Sequence, residues 1–279
     1  MVYLLISIVA SVVISVLLKR GEGTGHDRLV VTASNYISAT VLAGGIWLLR
    51  GAVWPSWPTV LLGIAGGFFY AISLVLWMQA IERAGIAMST AALRMSVALP
   101  VAMSMLFFGE QPSLNQGLGI VFTLLAIVLI TLSGRATGEG VTESAVVLLL
   151  LVFLTGGGAY ATLKLFTELR PPPEKEALLT LIFLSALVMS WVTVACGKHR
   201  FRRADIANGL AIGTCNVTSN GMMLLALQTV PGVLAFPFVN TSVLLSTAFL
   251  GTVVWRERPG GFGYLSIGAS IVAIVLLTT

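Results

Sequence analysis

The sequence predicts an all-α integral membrane protein whose ten transmembrane helices form two inverted five-helix repeats. Three observations carry that expectation. The first is composition: 57% of the 279 residues are hydrophobic and only 10% are charged, where a soluble domain carries roughly 25% charged residues. Mean hydropathy is +0.98. The second is the number of apolar runs near the ~20 residues that cross a bilayer at about 1.5 Å each. The third is an internal repeat. Residues 79–131 slide forward by 147 onto 226–278 without a gap, so that Gly85 meets Gly232, Glu110 meets Glu257, Pro112 meets Pro259 and Ala126-Ile127-Val128-Leu129 meets Ala273-Ile274-Val275-Leu276. Apolar coincidences are cheap. The two Glu-x-Pro turns are the specific part of the match.

In chain order the spans are 2–18, 29–49, 58–81, 86–108 and 114–133, then 144–165, 177–196, 205–228, 232–254 and 261–278. The first has no basic leader and no small-residue cleavage site, so it reads as an uncleaved span. Turn chemistry separates the segments: Gly-Glu-Gly-Thr-Gly at 21–25, Trp-Pro-Ser-Trp-Pro at 54–58 and Pro-Pro-Pro at 171–173. The expected domains are a first repeat at 1–133, a connecting loop at 134–143 and a second repeat at 144–279. Five spans is an odd number, so the second copy enters the membrane upside down. Helices are expected because each backbone group must be satisfied within its own segment. A closed barrel needs two-residue alternation, which the spans lack.

The net charge of +5 does not indicate a nucleic-acid partner. The basic residues sit in short loops between apolar runs, where an anionic lipid surface holds them. Eleven Lys and Arg lie in the odd-numbered loops and four in the even-numbered ones, which places both termini outside by the positive-inside rule. Cys196 and Cys215 lie in apolar runs, and His26 and His199 in separate polar loops. Neither pair has the spacing of a disulfide framework or a metal centre, so no metal or cofactor is expected.

Polar residues at depth mark the candidate substrate site. Arg94 lies well inside the fourth span. It reads either as the anchor for a substrate carboxylate or phosphate, or as a guanidinium that ties helices together. Asn216 and Asn220, four apart, share a face of the eighth span and call for substrate, water or other helices as partners. Asn240 and Thr241 follow Phe236-Pro237 in the ninth span, and the repeat pairs Thr241 with Arg94. Tyr70 and Trp77, seven apart on one face of the third span, offer either aromatic walls or packing bulk. Asn35, Tyr36 and Tyr160 are weaker candidates, and Lys164 is read as reaching toward the interface. Pro100 and Pro237 are read as breaking the helical ladder within their spans. Each Glu of the Glu-x-Pro turns is read as capping the helix that follows it. No Asp or Glu lies inside a span, which argues against proton coupling.

These residues resemble the ten-span branch of the drug/metabolite transporter superfamily, the EamA-type transporters. The resemblance rests on Gly85, Pro100 and Phe107-Phe108-Gly109-Glu110 in the first copy. In the second it rests on Pro231-Gly232, Phe236-Pro237 and Trp255-Arg256-Glu257-Arg258; Asn35-Tyr36 resembles a subset. It implies two five-helix bundles around a central cavity, with spans five and ten outside, and cytoplasmic termini. The termini therefore have two opposed readings. The expected function is a secondary transporter in the plasma (inner) membrane that moves a small polar or amphipathic metabolite by alternating access. Its partners would be a small-molecule substrate, the lipid bilayer and a second copy meeting it as a homodimer through the outer helices. A flippase for lipid-linked substrates and a non-transporting scaffold or receptor are the alternatives. An enzyme is not expected, because the spans hold no nucleophile–base pair, metal set or paired carboxylates.

Overall fold

A computed structural model describes residues 1–21, 27–133, 143–169, 172–197, 199, 201–254, 256 and 261–279. Among them are ten α-helices and no strand. The helices are α1 (Val2–Gly21), α2 (Arg28–Leu49), α3 (Trp57–Met95), α4 (Ala98–Phe107) and α5 (Leu114–Ser133), then α6 (Glu143–Leu169), α7 (Lys175–Ala195), α8 (Arg203–Ala226), α9 (Gly232–Val253) and α10 (Gly261–Thr278). Seven are long and apolar enough to cross a membrane: α1, α2, the Trp57–Ala80 part of α3, α6, α7, α9 and α10. Two shorter apolar helices cover Ala92–Phe107 and Leu114–Leu129. The 24 residues of α8 have the length, but Asn216, Thr218, Ser219 and Asn220 in mid-helix keep its hydropathy below that of the other spans. The expected second-repeat turn at 257–259, most of the 134–143 loop, and Trp255 and Arg258 lie outside the described residues.

Two boundaries differ from the sequence reading. Helical backbone runs through 82–85, where a break was expected. Ile81, Glu82, Arg83 and Ala84 tolerate helix well, and one Gly costs only about 1 kcal/mol. The break falls instead at 96–97. Pro100 has no N–H to return to the Ser96 carbonyl, and the chain tightens: Leu99 donates to Ser96 O at 3.1 Å and Val97 to Arg94 O at 3.4 Å. Pro100 therefore sits in the first turn of α4, where the missing N–H costs nothing, rather than in mid-helix. Pro237 is inside α9 as expected.

Helix starts show the local chemistry plainly. Asp27 caps α2 by accepting from Leu29 N and Val30 N. Ser113 and Gln116 form a reciprocal capping box at α5, with bonds of 3.0 and 3.2 Å. Glu110 does not cap the helix that follows it. It accepts from the N–H groups of Gly232 and Val233 at 3.1 and 2.8 Å and so caps α9, whose first donors have no intrahelical acceptor.

The chain forms two compact units, and each draws on both halves of the sequence. Unit 1 comprises Met1–Ala71 and Leu165–Thr229; unit 2 comprises Ile72–Lys164 and Val230–Thr279. Neither unit coincides with an expected repeat. In unit 1, α8 packs on α2 through Gly209 and Gly213. A Cβ at Gly213 would lie 2.1 Å from Asn35 O and 2.0 Å from Ser38 Oγ, and one at Gly209 2.5 Å from Ser34 Cβ. The first half of α3 packs on α7 through Gly63 and Gly67, where a Cβ would meet Leu181 Cβ at 2.4 Å, and Ile182 O and Ser185 Cβ at 2.6 and 2.4 Å. Small residues four apart let backbones approach this closely. Hydroxyls tie α1 to α8, with Ser11 Oγ and Ser219 Oγ 2.8 Å apart.

In unit 2, α5 and α10 run antiparallel against each other. Ser266 donates to Ala126 O at 2.7 Å, and a Cβ at Gly119 would lie 3.2 Å from Ala273 O. Ala126, Ile127, Leu244 and Ala269 form an apolar cluster beside Met95, Phe122 and Leu129. A second cluster joins Ala80, Leu148 and Val152 to Leu76, Trp77, Ala92 and Leu93.

Candidate functional site

Unit 1 carries a continuous line of polar side chains on α3, α8 and α2. Tyr70 Oη donates to Asn220 Oδ1 at 2.6 Å. Asn220 Nδ2 donates to Asn216 Oδ1 at 2.7 Å and to its carbonyl at 3.0 Å. Asn216 Nδ2 donates to Asn35 Oδ1 at 3.2 Å. Four residues marked in the sequence thus form one chain. The spacing of 216 and 220 places both amides on one face of α8, and Gly213 lets that face close onto α2. Asn35 is 5% exposed. Tyr36 is buried beside Phe183, whose ring also meets Tyr70; both centroid distances are 6.5 Å. In an apolar medium an unpaired amide costs several kcal/mol, which is why the line is continuous.

Unit 2 gathers Arg94, Tyr160 and Asn240. Arg94 and the Asn240 side chain both lie within electrostatic reach of the Tyr160 hydroxyl. Asn240 Nδ2 also donates to Phe236 O at 3.2 Å, and the rings of Tyr160 and Phe236 meet edge to face at 5.8 Å. Glycines bring the elements together. A Cβ at Gly156 would lie 2.9 Å from Leu93 Cδ1 and from Ser96 Oγ, and one at Gly157 2.2 Å from Leu99 Cδ1. Helix α6 therefore presses on the segment that carries Arg94 and delivers Tyr160 one turn later. Tyr160 was a minor candidate in the sequence; the Gly156-Gly157-Gly158 run was the signal that its helix approaches closely.

Thr241 and Trp77 stand apart from this group. Thr241 is 1% exposed and donates to Thr123 Oγ1 at 2.8 Å, a bond between α9 and α5. Trp77 lies in the α3–α6 apolar cluster, and its buried Nε1 has no acceptor among the described residues.

Buried charges in unit 2 have two distinct settings. Lys164 does not reach outward: it is 2% exposed, bonds the Glu110 carboxylate and lies 5.2 Å from the Phe108 ring centroid. Arg94 makes no ion pair among the described residues. It sits in the last turn of α3, where the helix dipole favours a cation by about 0.3–1 kcal/mol. Placing an Arg at bilayer depth costs roughly 2.5–3.5 kcal/mol, so the helix end offsets only part of it.

Acids are buried at two helix starts in unit 1. Glu174 accepts from Ser56 N at 3.0 Å, Ser56 Oγ at 2.8 Å and Thr59 Oγ1 at the entry to α3. Asp205, wholly buried, accepts from Asp27 N at 3.4 Å.

Several apolar, membrane-length helices define a multi-pass membrane protein. Residues 1–132 match the model of the EamA-like transporter family. A Haemophilus influenzae protein described as uncharacterized is 25% identical over 285 residues, covering 98% of this chain and 96% of that protein. A solved crystal structure, described only as that of a protein, superposes with a TM-score of 0.81 at 15% identity, covering 99% of this chain and 95% of the other. That likeness shows a fold common to the two chains over 99% of this one.

Proposed function

We propose that the chain is a secondary transporter of the plasma (inner) membrane, carrying a small polar or amphipathic metabolite near the bilayer midplane by alternating access. The carrying observation is the match of residues 1–132 to a transporter family, joined to polar side chains at helix depth. Unit 2 offers Arg94, Tyr160 and Asn240; unit 1 offers Tyr70, Asn220, Asn216 and Asn35.

The inverted repeat belongs to the same proposal, and reciprocal contacts support it. Adding 147 converts the pair Gly119–Ala273 into Ser266–Ala126, the two contacts that join α5 to α10. A two-fold exchange has this signature: residue i meets j and the mate of j meets the mate of i. In unit 1, Gly63–Leu181 and Gly67–Ile182/Ser185 mirror Gly209–Ser34 and Gly213–Asn35/Ser38. The α2–α7 mates there keep the offset of 147, and the glycines are offset by 146. An inverted repeat supplies two related half-sites that rock about a fixed substrate.

The test is a thermal-shift screen of purified protein against amino acids, nucleosides, quaternary amines and organic phosphates, followed by uptake of the hits into proteoliposomes. A stabilising compound is expected to accumulate in the lumen and to exchange with unlabelled compound. Stabilising compounds that never cross the vesicle membrane would support a receptor or scaffold instead.

A further inference from the structure

We infer that Arg94 is the docking point for the substrate's charge, and that the substrate is an organic anion: a carboxylate or phosphate ester on an apolar body. The inference rests on the transporter reading above and narrows it. Among the described residues, two buried cations of unit 2, Lys164 and Arg94, lie among apolar helices and are treated differently. Lys164 is closed off by Glu110, and Glu110 is closed off in turn by the first N–H groups of α9. Every charge in that set has its answer within the fold.

Arg94 has none among the described residues. Its electrostatic neighbour is the Tyr160 hydroxyl, on the helix whose Gly156 packs against Leu93 and Ser96. The guanidinium supplies a fork of N–H donors and one net positive charge, with the Tyr160 hydroxyl in reach. That set suits an oxyanion, because a planar guanidinium takes up carboxylate or phosphate oxygens in pairs. A cationic ligand would meet repulsion there. The surroundings specify the rest of the molecule. Phe236, fully buried, packs on Tyr160. Leu93, adjacent to Arg94 in sequence, packs in the cluster that contains Trp77. The oxyanion would therefore be carried on an aromatic or aliphatic body.

The experiment measures thermal stabilisation and affinity of the purified full-length protein with anions and their neutral counterparts. The pairs are benzoate and benzamide, indole-3-acetate and indole-3-acetamide, phenyl phosphate and phenol, and dihexanoyl phosphatidic acid and dihexanoylglycerol. At least one anion is expected to stabilise the native protein beyond its counterpart. Its affinity should fall by roughly 30-fold or more in Arg94→Gln and recover in part in Arg94→Lys, which keeps the charge. Arg94→Lys also keeps the test decisive if Arg94→Gln does not fold. A response confined to the phosphatidic acid assigns the same oxyanion chemistry to a lipid head group. The inference is overturned if no anion exceeds its counterpart, or if the gain survives undiminished in the Arg94 variants. Neutral compounds that bind and cross vesicles would sink the anion inference alone. Anions that bind through Arg94 but never cross would sink the transporter reading and leave the anion site standing.

Discussion

Lys164 Nζ, Gly232 N and Val233 N all bond the Glu110 carboxylate, and this environment sets a pH dependence. Burial by itself pushes the Glu110 carboxyl up. The Lys164 ammonium and the N–H groups of Val233 and Gly232 outweigh that and hold it below the ordinary carboxylate value. A carboxylate whose pKa is lowered by folding stabilises the native state above its unfolded pKa, and that stability is lost as pH falls through the lowered native value. Asp27, outside the spans, has the same sign. Burial raises it, and the His199 bond with the Val30 and Leu29 N–H groups outweighs that and lowers it. The thermal midpoint is therefore expected to drop on the acid side of the ordinary carboxylate range. Replacing both residues, Asp27→Asn with Glu110→Gln, should flatten that limb; an unchanged acid limb would contradict the assignment.

Glu110→Gln alone leaves the buried Lys164 without its counter-ion and is expected to cost roughly 3 kcal/mol, measured by denaturation in detergent. The sequence showed Glu110 at the end of an apolar run and Lys164 near the end of another. It could not show that the two meet across 54 residues, so local rules assigned one to the next helix and the other to the interface. The capping box Ser113-x-x-Gln116 is local, its partners three residues apart, yet the sequence reading gave the cap of that helix to Glu110.

At the scale of elements, the close glycine contacts separate positions that tolerate a side chain from positions that do not. Gly213→Val would drive carbon into Asn35 O and Ser38 Oγ of α2, backbone and side chain at once. Its expected cost is about 3 kcal/mol, the upper end of overpacking. It would also unseat the Asn216–Asn35 bond one turn along. Gly45→Ala is the control. A Cβ there meets nothing within 4 Å, and mid-helix Ala gains about 0.5–1 kcal/mol over Gly. Equal midpoints for the two variants would rule out the proposed packing.

Element type was fully legible, because apolar runs of this length have one outcome in lipid. Boundaries were less so. A break was read at 82–85, between spans 58–81 and 86–108, and the chain breaks instead where Pro100 removes the donor for Ser96 O. At the glycines of α3 an offset of 147 pairs Gly213 with Gly66, whereas the mirrored contacts proposed above fall on Gly67. A single inserted residue between paired helices is invisible when apolar residues match in either register.

For the whole molecule, the polar residues were found in the sequence because lipid makes each of them anomalous. Their grouping was not. Asn35, Asn216, Asn220 and Tyr70 join in one unit, while Arg94 and Asn240 join with Tyr160 in the other. The compact units interleave the two halves of the chain, and no linear reading assigns a residue to one of them. Transport by this molecule is expected to leave lumen pH unchanged, since the described spans hold no carboxylate in their apolar interiors to carry a proton. A pH-sensitive dye in the proteoliposome lumen checks this, and steady acidification during uptake would point to a titratable site elsewhere.

That the polar interior opens to each side of the membrane in turn is tested most directly by two-sided labelling. Cys196 and Cys215, the native thiols, are replaced by Ser, and Asn240→Cys supplies a single thiol beside Tyr160. A membrane-impermeant maleimide is then added to one face or the other of sealed, uniformly oriented vesicles. Alternating access predicts labelling from both faces, whereas Cys196 restored alone in a loop should label from one. Labelling of the 240 position from a single face, or from neither, would contradict it.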